Sequence, residues 1–190
     1  GRLLVFGLLS FYVSLVMSDP LIIDKSLFHD GVLIIAAVTM LVAALSDIKK
    51  LIISNRLCLF LAALFPLYVI TAPHEVMWLH HVLIAGTVLI IGFGMFAMNF
   101  LGGGDVKMLA AASLWAGPKM IATLLVFTSF AGGLLALGFA AAALYHSRVL
   151  KIETKSETNE VIPWHKTPVP YGVAIACGGV TALFMMTQAV

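Results

Sequence analysis

Phe93-Gly94-Met95-Phe96-Ala97-Met98-Asn99-Phe100-Leu101-Gly102-Gly103-Gly104-Asp105-Val106-Lys107 closes one apolar run and opens another. The run it closes starts at Leu79 and reaches Phe100 without an acid, a lysine or an arginine. At ~1.5 Å per residue, such a run is long enough to cross the hydrocarbon core of a bilayer. A barrel strand would alternate apolar and polar positions, whereas this run is continuous. The reading is therefore all-α: a polytopic membrane helix bundle. Three glycines and an acid are costly in that setting, because glycine loses conformational freedom on ordering and a carboxylate is expensive in hydrocarbon. Such concessions collect at working sites. Glycines let another backbone approach Asp105 closely, and they permit a positive φ from which the next helix can begin abruptly.

The rest of the chain agrees. Of its 190 residues, 62% are hydrophobic and 11% charged, with a mean hydropathy of +1.08, far outside the range of soluble domains. A net charge of +2, scattered along the chain, gives no footprint for nucleic acid. Cys58 and Cys177 each sit inside an apolar run and read as small core residues. No Cys-x-x-Cys and no His-Glu-x-x-His is present, so neither a metal nor another cofactor is expected. His80 and His81 adjoin and would point apart on a helix, which suits a membrane interface better than a metal.

Seven apolar segments follow in order: 3–17, 31–46, 57–72, 79–100, 106–115, 120–145 and 171–187. About six to seven transmembrane helices are expected, in one domain over 1–190. The first run is short and opens on Gly1 instead of an initiator methionine, so a longer start is expected. The second run is expected to end at Ser46, before the polar connector that starts with Asp47. The short fifth segment, closed by Gly117-Pro118, decides the topology. If it spans, and the amino terminus is cytoplasmic, nine of the eleven lysines and arginines fall inside, leaving only Lys25 and Lys119 outside. If it only dips in and returns, the last four of those nine change sides and the bias collapses. The positive-inside rule selects spanning. Asp47 and Asp105 then share the cytoplasmic side.

Two acids at one membrane face suggest general acid/base chemistry, since neighbouring carboxylates share a proton and can split the two roles. No Ser-x-x-Lys or Gly-x-Ser-x-Gly competes. Asp47 beside Lys49 and Lys50 could equally be a solvated acid at a helix end. The glycines could be a connector or a packing surface, as the Gly132-Gly133 and Gly178-Gly179 pairs read most simply. Lys107 lies two residues from Asp105, off its face, and reads as a lipid headgroup anchor. An ion-coupled transporter and a non-enzymatic assembly protein are the other classes open. The first favours midplane acids at an inverted repeat, and none is evident.

Ser46-Asp47-Ile48-Lys49-Lys50 through Ser54-Asn55, then Gly102-Gly103-Gly104-Asp105-Val106-Lys107, resembles the type IV prepilin peptidases, a branch of the Gly-x-Gly-Asp intramembrane aspartyl proteases. Val169-Pro170-Tyr171-Gly172 resembles the proline motif that opens the family's last helix. The resemblance implies Asp47 and Asp105 as the catalytic pair, with Gly102, Gly103, Gly104, Asn55, Lys107 and Pro170 shaping the site. It implies a prepilin or pseudopilin partner with a basic leader and an apolar helix, cut at the cytoplasmic face of a bacterial inner membrane. Membrane lipid is the other partner; no cofactor and no nucleic acid is implied. Where the family usually has proline before the asparagine, Ser54 stands here, removing a rigid turn residue. No segment fits the cysteine-paired methyltransferase domain of bifunctional members, so the chain looks like the compact, peptidase-only kind.

Overall fold

The computed structural model describes residues 20–73, 75–153 and 170–188, without the side chains of 20–26 and 146–153. The expected first run, 3–17, and most of the polar stretch 147–167 lie outside them. Among the described residues the chain forms α1 (Pro20–Lys50), α2 (Asn55–Thr71), α3 (Trp78–Ala97), α4 (Gly103–Glu153) and α5 (Tyr171–Gln188). Four stretches among the described residues are long and apolar enough to cross a membrane: Leu27–Lys50, Trp78–Ala97, Gly103–Tyr145 and Tyr171–Gln188. The shorter α2 is apolar as well. The protein is a membrane helix bundle.

α1 outruns its expected end. Nothing in residues 21–30 interrupts it. It continues through Asp47 to Lys50, because Lys49 and Lys50 complement the negative end of the last turn. Leu51, at φ 53°, turns the chain out of the helix while its N–H donates to the Asp47 carbonyl at 2.8 Å. Asp47 is therefore a last-turn helical residue instead of the first residue of a connector.

α4 holds the expected fifth and sixth segments as two limbs. Gly117, at φ 56° and ψ −167°, breaks them apart, and Pro118 opens the second. Pro118 has no N–H, so the carbonyl of Leu114 loses the partner a helix would give it. His81 of α3 takes that place: its Nδ1 donates to the Leu114 carbonyl at 2.8 Å, and the ring is buried. His81 is thus a strut across the break, a part that nothing in the sequence signalled.

The first limb, 103–116, is only roughly 21 Å long, yet it crosses the bundle. Near its start, Gly104 lies against Ile53; at its end, Gly117 meets His81. Val106, Met108, Trp115 and Ala116 along it are buried. Other helices surround it in place of lipid, which is why a short span suffices. At the end far from Asp47, Tyr68 and Phe65 gather round Trp115 with ring centroids 5.4 and 6.0 Å from it, and Trp115 Nε1 donates to the Leu61 carbonyl at 2.9 Å.

α5 docks through small residues: Gly172, Ala174, Ala176, Gly178, Gly179 and Ala182 are all buried. A Cβ at Gly178 would stand 2.6 Å from the Leu124 carbonyl of α4, and one at Gly179 2.6 Å from Met40 Sδ of α1. Apolar burial drives little association between helices already in lipid, so close backbone approach carries it. The packing role expected of Gly132, Gly178 and Gly179 is what these contacts give; a Cβ at Gly133 would meet nothing.

Candidate active site

Asp105 sits in the first turn of α4. Gly102 precedes the helix, and its carbonyl accepts the Val106 N–H at 3.1 Å. The Asp105 carboxylate reaches back toward the backbone of Gly102. A Cβ on Gly102 would lie 2.8 Å from Asp105 Oδ2. Gly103 and Gly104 make room for neighbours instead, with added Cβ atoms 3.4 Å from the Phe96 ring and 3.3 Å from Ile53 Cβ. Positive φ is absent from all three glycines. They are there for space, not for the backbone freedom expected of them.

Asp47 is 5% exposed. Its Oδ2 accepts the N–H of Gly172 at 2.7 Å. Gly172 is the second residue of α5, so its amide is one of those a helix leaves without an internal partner, at the positive end of the dipole. Pro170, buried just ahead of the helix, offers its carbonyl to the Val173 N–H at 3.3 Å and starts that first turn. A Cβ on Gly172 would come within 2.8 Å of the same Asp47 oxygen and 2.9 Å of Ile53 Cδ1.

The loop from Leu51 to Ser54 supplies the third wall. Ser46 Oγ donates to the Ile52 carbonyl at 3.2 Å, tying the loop to α1. Ser54 caps α2, its hydroxyl accepting the Arg56 N–H at 3.3 Å. The serine that stands in place of a proline thus fixes the turn by a hydrogen bond. Between these walls lies a cleft of about 580 Å³ lined by both aspartates, the three glycines, Asn55, Tyr171 and the loop.

Of the residues expected to form a site, Asp47, Asp105, Gly102, Gly103, Gly104 and Asn55 line this cleft. Lys107 lies outside it and donates from Nζ to Asn55 Oδ1 at 3.0 Å, tying the start of α4 to the start of α2. Pro170 stays behind the cleft, one residue from Tyr171. Sequence reasoning missed Gly172, Tyr171, Ile53 and Leu51 as site residues. The only signal for Gly172 was a glycine directly after the proline and tyrosine that open a helix.

A membrane helix bundle with two carboxylates, drawn from different helices into one cleft, defines the class. The family model described as the type IV leader peptidase family matches residues 34–137, over half of the chain, and the chain belongs to that family. The match takes in both aspartates and ends before α5. No curated protein and no solved structure matches the chain.

Proposed function

We propose that the protein is an aspartic-type endopeptidase that removes the basic leader from prepilin- or pseudopilin-like substrates at the cytoplasmic face of a bacterial inner membrane. The observation that carries this is the pair of carboxylates, from different helices, lining one cleft. Gly172 occupies one oxygen of Asp47. The remaining oxygens are left to share a proton and hold a water. One carboxylate takes a proton from the water as its oxygen attacks the scissile carbonyl carbon. The other donates its proton to the carbonyl oxygen. The tetrahedral species then collapses: the C–N bond breaks, and the new amine leaves with a proton from the pair. Lys49, Lys50, Arg56 and Lys107 cluster near this end of the bundle and Lys119 lies near the other, which supports a cytoplasmic cleft.

Purified wild type and the variants Asp47→Asn and Asp105→Asn, tested on a leader-bearing substrate in detergent, decide the matter. Each substitution should lower kcat/KM by about a thousandfold or more, since a catalytic pair acts as a unit, while thermal unfolding stays close to wild type. Near-normal processing by either variant overturns the assignment.

A further inference from the structure

A second cavity, of about 630 Å³, lies between α2 and α3 and is floored by the first limb of α4. Among the described residues, α2 and α3 both pack on α4 and far less on each other, which leaves the gap. Its three walls share one pattern. Asn55 to Ala62 on α2, Val82 to Leu89 on α3 and Lys107 to Leu114 on α4 each contribute residues at steps of three, four and seven. That is the stripe one helix presents to another, about two turns and roughly 10 Å long. The groove therefore runs parallel to the bundle, with the dimensions of two turns of a missing helix.

Three observations say what fills it. Asn55 lines both the groove and the cleft of the aspartates, so a chain lying in one continues into the other. From that junction the groove leads away from the cleft toward the far end of the bundle, into the apolar layer. Its floor is small: Ala62, Ala85, Gly86, Ala110 and Ala111 let a backbone approach closely, as helix pairs in membranes require. An acyl chain has no need of small residues at helical spacing.

We propose that this groove holds the first two turns of the substrate's apolar helix, immediately after the bond that is cut, and so sets the register of that bond against Asp47 and Asp105. This rests on the peptidase reading above. The leader would lie on the cleft side and the membrane-embedded part in the groove. Gly86 is the position to probe, because a Cβ there meets nothing within 4 Å. A larger side chain fills the groove without displacing a neighbour.

The test uses a synthetic single-span peptide with a basic leader and an apolar helix of about 20 residues. Gly86→Leu should raise KM about tenfold or more, while Gly138→Leu, equally open but on the second limb of α4, leaves it unchanged. Cys58 lines the groove and gives an independent readout. In an Asp47→Asn, Cys177→Ala background with copper phenanthroline and dissolved oxygen as the oxidant, peptides carrying one cysteine at successive helix positions should form a disulfide with Cys58 along one helical face only, and Gly86→Leu should abolish it. Cleavage by wild type with no crosslink at any position, or equal KM for the two leucine variants, overturns the groove and spares the peptidase reading. A co-purifying lipid displaced by Gly86→Leu with KM unchanged assigns the groove to an acyl chain and also overturns the proposal. Wild type that cuts no leader peptide overturns the peptidase reading itself.

Discussion

Each aspartate has a glycine of its own. Gly172 gives its amide to Asp47, and at both Gly102 and Gly172 an added Cβ would stand 2.8 Å from a carboxylate oxygen. Each backbone comes that close to its acid only because nothing projects from it. Gly102→Ala and Gly172→Ala should therefore each cost about tenfold or more in kcat/KM, because small displacements of catalytic groups are expensive. Gly132→Ala, whose Cβ would rest at an ordinary 3.6 Å from Ala174, should stay near wild type. Turnover measured on variants matched by thermal unfolding separates the two outcomes; equal losses at all three would assign the effect to packing. Asp105 was legible because an acid behind three glycines has no reason to stand among apolar residues. Gly172 was not, because the acid it serves is 125 positions away and a glycine opening a helix looks like any packing residue.

Among the elements, the break in α4 was legible and its support was not. Gly117-Pro118 announces an interruption to anyone reading the chain, but nothing local says which group takes up the freed carbonyl of Leu114. His81 does so from another helix, and its ring stacks near Phe65 with centroids 5.4 Å apart. His81→Phe keeps the ring and removes the donor, which should destabilise the fold by ~1–3 kcal/mol, the cost of a buried carbonyl left without a partner. Gly117→Ala should do worse, since a left-handed φ costs a side-chain-bearing residue ~1–2 kcal/mol and the new Cβ would run into the His81 ring. Thermal or SDS-induced unfolding of the two variants tests the order; a Gly117→Ala protein as stable as wild type would refute it. The end of α1 was misread for the opposite reason. Asp47-Ile48-Lys49-Lys50 is polar enough to pass for a connector, yet its lysines are what a helix's last turn favours.

At the scale of the molecule, apolar runs and the positive-inside count made the bundle and the shared face of the two acids legible. The groove between α2 and α3 was not, because it exists only where two helices lean on a third and leave each other alone. Among the described residues no three His, Cys, Asp or Glu side chains converge to hold a metal ion. Two carboxylates that share a proton activate water without a metal, so leader cleavage should persist in excess EDTA, and a loss restored by one divalent cation would contradict the two-carboxylate mechanism.

The bond from Gly172 to Asp47 also has a bearing on time. The ribosome completes α1 through α4 before it makes residue 172, so a growing chain holds both acids while Asp47 still waits for its donor. Until then the cleft lacks one of its walls, and the last helix should be needed before the site can work. A chain stopped after residue 153 should insert and remain inert toward the leader peptide, and a separate segment covering 168–190, co-inserted with it, should restore part of the activity. A truncated chain that cuts at the full rate would show that the last helix merely packs.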